Sequence, residues 1–179
     1  TGDARYLVPN AAERQLTWTA VDSPRSLRRT LAAHRNGFAD PTTRIGPGRF
    51  LRATLTPDGP GTVFLRWVGD PAPESTAGLT ADAWGPGAAW LLARIDSLTG
   101  AHDRPVSFAG AHPAVERALR LTRHTRVGAS GGLYHQLLPT ILAQRITARE
   151  AVRQWERLCR GLGAPAPGPP EVVAGLVLP

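Results

Sequence analysis

The stretch Arg49-Phe-Leu-Arg-Ala-Thr-Leu-Thr56, followed by Pro57-Asp-Gly-Pro60 and Thr62-Val-Phe-Leu-Arg-Trp-Val68, decides the fold class. The two outer segments are rich in β-branched and aromatic residues, and the Pro/Gly segment between them is typical of a tight turn. We therefore expect consecutive antiparallel strands. Similar patterns at residues 42–45 and 80–84 extend the prediction to a β-meander.

The segments around the meander predict one further strand and two helices. Residues 15–21 alternate as a strand does, and Asp22 or Ser23 can cap a helix that has Pro24 in its first turn. Its buried face should contain Leu27, Thr30, Leu31 and His34, before Asn36-Gly37 ends it. Residues 88–95 should form a helix that lies on the sheet. Residues 16–110 thus read as an α+β unit after a flexible leader, residues 1–15.

Residues 111–179 read as helical. Helices are expected at 113–121 and on both sides of a break at 144–146, and the helix after the break opens with the capping box Thr147-x-x-Glu150. The helix after the Gly-rich segment 128–132 should bend at Pro139 and has an apolar face, formed by Leu133, Leu137, Leu138, Ile141 and Leu142. Residues 163–170 read as a semi-rigid linker, and the apolar residues 172–179 have nothing after them to pack against.

The charge balance favours a polyanionic partner. The chain has 21 Arg, no Lys and 14 acidic residues, for a formal net charge of +7. GC-rich codon usage can account for the missing Lys, but it does not account for the net charge. The excess is concentrated after residue 110, where 9 Arg face 4 acidic residues.

Several classes of protein are excluded by composition. The chain has no apolar run of the length that a membrane helix needs. The single cysteine, Cys159, permits no intrachain disulfide and no thiolate cluster, and the five histidines lack metal-ligand spacing. We therefore expect a cytoplasmic protein with no metal, no cofactor and no membrane partner.

One segment resembles a known enzyme family. The stretch Leu133-Tyr-His-Gln-Leu-Leu-Pro-Thr-Ile-Leu-Ala-Gln-Arg-Ile-Thr-Ala-Arg-Glu-Ala151 is similar to the helix, turn and helix that open the core of bacterial 3-methyladenine DNA glycosylase II, a helix-hairpin-helix glycosylase. The portion Ile141-Leu-Ala-Gln-Arg-Ile-Thr147 matches best. The resemblance implies that residues 16–110 form a TATA-box-binding-protein-like domain, and that 111–179 begin an all-α glycosylase core, which is incomplete here.

The resemblance also implies a DNA-binding site. Glycosylases of this family flip a damaged base out of duplex DNA and fill the gap with a wedge from the turn, which corresponds to Gln144 and Arg145. With Thr147, Arg149 and Arg153, these are the predicted DNA-binding residues. Arg145 replaces an apolar wedge, so it can act as a wedge, as a phosphate contact or as an ordinary surface residue. Gln144 can instead bond to carbonyls at the end of a helix.

The catalytic parts of the family are missing from the sequence. No Gly-rich hairpin follows Ile146, and no Asp follows Asp103. We therefore predict no catalytic residue within the 179 residues, and read them as the N-terminal part of a longer glycosylase, monomeric and acting on double-stranded DNA with alkylated purines. One alternative is a non-enzymatic, Arg-rich DNA-binding or regulatory module in which Arg149, Arg153, Arg157 and Arg160 bind phosphates. Another is a protein-interaction domain on which those arginines are simply a solvated face.

Overall fold

The computed structural model describes residues 12–18, 24–68, 77–104, 112–122 and 124–179. The strands are β1 (Ala12–Trp18), β2 (Thr43–Gly46), β3 (Arg49–Thr56), β4 (Gly59–Trp67) and β5 (Ala77–Trp84). The helices are α1 (Pro24–Ala32), α2 (Ala88–Ala93), α3 (Ile95–Leu98), α4 (Pro113–Thr122), α5 (Leu133–Leu142), α6 (Ala148–Leu162) and α7 (Pro170–Val173).

The strands form one antiparallel sheet in the order β1-β5-β4-β3-β2. The predicted meander is confirmed, because β2 to β5 are neighbours in chain order. The turn between β3 and β4 is tighter than expected, since Thr56 pairs with Gly59 across Pro57 and Asp58. The first strand begins at Ala12, three residues before its predicted start. The expected leader otherwise lies outside the described residues, as do the capping candidates Asp22 and Ser23.

One face of the sheet carries the main apolar core. Alternation along β3 and β4 directs Phe50, Val63 and Leu65 to this face, where helices α1, α2 and α3 cover them. The predicted inward face of α1 is confirmed, because Leu27, Thr30, Leu31 and His34 are all buried. Helix α1 starts at Pro24, where the missing N–H costs nothing. The predicted helix over 88–95 is two short helices, divided at Arg94.

The opposite face of the sheet is covered by residues that the sequence analysis assigned to a linker and an unpacked end. Ala166, Val173, Leu176 and Leu178 are buried against a patch of the sheet made of Leu51, Ala53 and Trp84. Backbone hydrogen bonds from Ala166 to Leu176 and from Leu178 to Ala164 close the segment into a loop. The prediction of a free apolar end was therefore wrong. The apolar residues at the end of the chain complete the second core.

Helices α5 and α6 contact each other and are joined by residues 143–147, so they form a helical hairpin around the break that the sequence predicted at 144–146. Helix α6 buries Ala151, Trp155 and Cys159. The apolar face predicted for α5 is instead mostly exposed: its one buried residue is His135, while Leu133, Leu137 and Ile141 are about half exposed or more. Pro139 lies inside α5, and α4 buries none of its side chains against the described residues.

The architecture is thus α+β, as predicted. No helix among the described residues is long and apolar enough to cross a membrane.

The second core predicts a large loss of stability when a side chain at the end of the chain is shortened. Leu176 is 2% exposed, so Leu176→Ala should reduce the free energy of unfolding by about 2–4 kcal/mol. Leu162→Ala is the matched control, since Leu162 is 84% exposed, and its effect should stay within about 0.5 kcal/mol. Urea unfolding followed by circular dichroism measures both. Equal, small effects would mean that residues 164–178 do not pack on the sheet.

Candidate nucleic-acid interface

The turn between α5 and α6 places Arg145 in an unusual backbone conformation. Helix α5 is capped by Ala143, whose N–H donates to the carbonyl of Pro139, and the Gln144 N–H donates to the carbonyl of Ile141. Arg145 then has φ 63°, and every other described residue with positive φ is a glycine. The left-handed conformation costs an L-residue about 1–2 kcal/mol. Such local strain is concentrated at functional positions in proteins, so this turn is the candidate for a functional site.

The side chains of the turn are exposed. Gln144 and Arg145 both lie at the surface, and neither side chain makes a hydrogen bond or ion pair with the described part of the chain. The alternative in which Gln144 bonds to carbonyls at the helix end is therefore not what the structure has. Both side chains are free to reach a ligand.

Thr147 caps helix α6, as the sequence predicted. Its hydroxyl oxygen accepts a hydrogen bond from the Glu150 N–H at 3.2 Å, and its extended backbone ends the turn. Glu150 does not complete the reciprocal half of the box, because its carboxylate accepts from the Gln154 amide at 2.7 Å. The Thr147 hydroxyl keeps its own proton, which it can donate to a phosphate oxygen.

The predicted arginine ridge lies along the exposed side of α6. Arg149, Arg153, Arg157 and Arg160 are all exposed. Arg160 forms an ion pair with Glu156 at 3.1 Å, whereas the other three have no carboxylate partner in the described ranges. Unpaired guanidinium groups at successive turns of one helix suit the repeating phosphates of a nucleic acid.

The hairpin is held on the sheet by a buried polar network around Asp40. One carboxylate oxygen of Asp40 accepts hydrogen bonds from the Thr42 N–H, the Thr42 hydroxyl and the Trp155 indole, at 2.9, 2.7 and 3.1 Å. The other accepts from the Asn36 N–H at 2.8 Å. Charged, multiply bonded acceptors of this kind form strong hydrogen bonds. Helix α6 is therefore attached to the loop before β2 through Trp155.

His135 attaches α5 to the same network. Its Nε2 lies 3.0 Å from the Thr42 hydroxyl, and its Nδ1 lies 2.9 Å from the Thr54 hydroxyl. The Thr42 hydroxyl gives its proton to Asp40, which can only accept, so Nε2 of His135 must be the donor and Nδ1 must accept from Thr54. The ring also lies 5.4 Å from that of Trp155. The network fixes both helices relative to β3.

The charges in this network are set by burial. Burial and the positive charge of Arg52 lower the pKa of His34 to about 4. The same two causes, with a smaller contribution from His34, lower the pKa of His135 to about 2. Both are neutral at pH 7. Burial also lowers the pKa of Arg52 to about 10, against the opposing effect of Asp40, so Arg52 is still charged at pH 7. Its Nη1 donates to the His34 carbonyl at 2.7 Å.

The one cysteine of the chain, Cys159, is buried and unsuited to nucleophilic chemistry. Burial raises the pKa of the Cys159 thiol to about 12, so it is protonated and unreactive at neutral pH. Within the described ranges, no three His, Cys, Asp or Glu side chains come together as a metal site. What this arrangement offers is anion binding by exposed guanidinium groups on a rigid support.

The sequence analysis missed the residues that support the site. It assigned no role to Asp40, Arg52 or His135, which lie far apart in the chain. Trp155 lies in the core, since it is 1% exposed, whereas Tyr134 on α5 is 49% exposed. The one available signal was His135, a titratable side chain among the mostly apolar residues of α5.

No protein-family model matches the chain, and no curated protein matches it.

The buried histidines predict that acid destabilises the protein. Each has a pKa below its unfolded value near 6.5, so the folded state binds fewer protons and its stability falls as the pH drops from 6.5 towards 4. Well below pH 6.5 each histidine should contribute about 1.4 kcal/mol of lost stability per pH unit. Urea unfolding at pH 7, 6 and 5 measures this slope.

A pair of variants identifies the source of that slope. His135→Gln should remove about half of it, whereas His102→Gln, at an exposed position, should leave it unchanged. A free energy of unfolding that is constant between pH 7 and pH 5 would contradict the buried, neutral state of both histidines.

Proposed function

We propose that this chain is the DNA-binding front part of a base-excision repair protein like 3-methyladenine DNA glycosylase II, which flips and excises alkylated purines. The observation that carries the proposal is the left-handed Arg145 at the tip of the α5–α6 hairpin. It lies at the position where the resembling family inserts its wedge. Local strain that the surrounding structure maintains is a sign of selection for geometry at that point.

The surroundings of the turn support contact with duplex DNA. Arg149 and Arg153 extend from it along α6 without carboxylate partners, and the Thr147 hydroxyl can donate to a phosphate. In the proposed complex Arg145 enters the minor groove and stacks its planar guanidinium where the base was, while the ridge binds the backbone. The TATA-box-binding-protein-like identity of the α+β unit belongs to the same proposal.

We propose no role in hydrolysis of the glycosidic bond for any of these 179 residues. The family requires a backbone-gripping hairpin and an Asp that stabilises positive charge on the sugar, and the sequence has neither after Ile146. Helix α5 has exposed apolar side chains at Leu133, Leu137 and Ile141. We propose that the hairpin and the Asp come from helices that pack on this surface. The 179 residues alone should bind damaged DNA and leave the bond intact.

A second candidate function is a non-enzymatic DNA-binding or regulatory module. The absence of any Asp after residue 103 favours it. It differs in one measurable respect, because a module that reads only phosphates binds damaged and intact duplexes almost equally. A preference of tenfold or more for an abasic-site duplex would count against it.

Two substitutions at Arg145 distinguish the role of its side chain as a wedge from the cost of its left-handed backbone. Arg145→Gly removes the side chain and relieves the left-handed strain, so the protein should become about 1 kcal/mol more stable while its preference for an abasic-site duplex over an intact duplex disappears. Arg145→Ala should lose the same preference without gaining stability. Fluorescence anisotropy with the two labelled duplexes measures the preference. Equal loss of affinity for both duplexes would make Arg145 a phosphate contact.

The ridge is tested by the salt dependence of duplex binding. Arg149→Gln and Arg153→Gln should each weaken binding to any duplex and reduce the slope of log affinity against log salt by about 0.9. Arg117→Gln is the control, since Arg117 is exposed on α4 and should leave the slope unchanged. Unchanged slopes in all three variants would remove α6 from the interface.

A further inference from the structure

A cavity of about 530 Å³ opens at the β2 edge of the sheet, on the face that the end of the chain covers. Leu51 and Phe64 form its apolar floor, and Val172 forms one wall. Three arginines lie at its rim: Arg35, Arg44 and Arg49. A ligand that fits such a cavity combines a flat apolar group with negative charge.

The rim has an excess of positive charge. Glu171 is the one carboxylate residue that lines this cavity, and no ion pair joins it to the three arginines in the described part of the chain. Arg44 donates to the carbonyl of Ala174, which directs its guanidinium along the cavity wall. The charges of Arg35 and Arg49 are not neutralised by any neighbour that the structure describes.

Phe38 stands beside these arginines almost fully in solvent. It is 94% exposed, and the guanidinium carbon of Arg35 lies 4.7 Å from its ring centroid. The loop that presents it is closed by the hydrogen bond from the Asn36 N–H to Asp40. Such exposure has no use in packing, and the second face of the ring is open to a stacking partner. An arginine and a ring held in this way form a platform for a nucleobase.

The same loop contacts helix α6. Gly37, at φ +82°, leaves no room for a side chain, because a Cβ there would lie 2.5 Å from Cγ1 of Val152. Val152 is adjacent to Arg153 of the ridge. The cavity, Phe38 and the α6 ridge therefore meet at one loop, and arginines predominate at both the cavity rim and the ridge.

We propose that this cavity binds single-stranded nucleic acid, with one base stacked on Phe38 and the neighbouring phosphates among Arg35, Arg44 and Arg49. A duplex keeps its bases stacked inside, so it cannot offer one to Phe38, whereas an unpaired strand can. The site lies on the face of the sheet opposite the main core and includes none of residues 144–153. Its side chains differ from those proposed to contact duplex DNA at the α5–α6 hairpin, so the two proposals can fail separately.

The experiment uses fluorescence anisotropy of labelled single-stranded dT10 with the 179-residue protein. Phe38→Ala should weaken binding about tenfold without changing the salt slope, because it removes stacking and no charge. Arg49→Gln should weaken binding and reduce the slope by about 0.7. Arg28→Gln removes the same charge from the exposed side of α1 and should change affinity less than twofold.

Two further arms distinguish the source of the base and phosphate. Thymidine monophosphate should compete with dT10 at least tenfold less well than unlabelled dT10, since a strand reaches more of the rim. A ten-base-pair duplex should lose no more affinity from Phe38→Ala than from Arg28→Gln.

Three results would overturn the proposal. The first is an effect of Phe38→Ala and Arg49→Gln on dT10 no larger than that of Arg28→Gln. The second is equal binding of the mononucleotide and the strand, which would make the cavity a nucleotide site. The third is a duplex affinity that falls with Phe38→Ala as much as that of dT10. Urea unfolding of each variant checks that the fold is intact.

Discussion

The buried carboxylate of Asp40 is the constraint on which the arrangement of this molecule depends. It accepts hydrogen bonds from the loop at Asn36, from Thr42 just before β2 and from helix α6 through Trp155. A buried charge is tolerated only when its lone pairs are used, and here four donors use them. Removal of the carboxylate would leave those donors buried without partners. The loop, the sheet edge and the hairpin therefore stay together or separate together.

The sheet was predictable from sequence because its signals are local. Alternating residues and short Pro/Gly turns place β2, β3 and β4 within three residues of where they are, and the capping Thr147 is read from four residues. The network at Asp40 was not predictable, since Trp155 is 115 residues away and His135 lies 93 residues from Thr42. Composition does not give such pairings. They follow only from the docking of α5 and α6 on the sheet.

The end of the chain shows a different limit of sequence reading. Proline and glycine between residues 163 and 170 are equally typical of a free linker and of an extended segment that packs on a surface. The choice depends on what faces the segment, namely Leu51, Ala53 and Trp84 on the second face of the sheet. Their direction depends on strand register, because a shift of one residue would exchange the two faces. Once the register is known, an apolar second face requires a cover, and the end of the chain supplies it.

A polar attachment between hairpin and sheet has a consequence for both proposed binding surfaces. Hydrogen bonds are directional, so the Asp40 network fixes the angle of α6, whereas an apolar contact of the same area would tolerate sliding. That carboxylate also closes the loop that presents Phe38, and the loop contacts α6 at Val152. The Asp40 carboxylate thus helps to position the strained turn at Arg145, through Trp155 of α6, and the exposed ring of Phe38, through the Asn36 N–H. His34 and His135 stay neutral at pH 7, so Arg52 is the one charged cation of the three beside the Asp40 carboxylate. Because none of these three groups changes its charge across the neutral range, the geometry of both surfaces should be constant there.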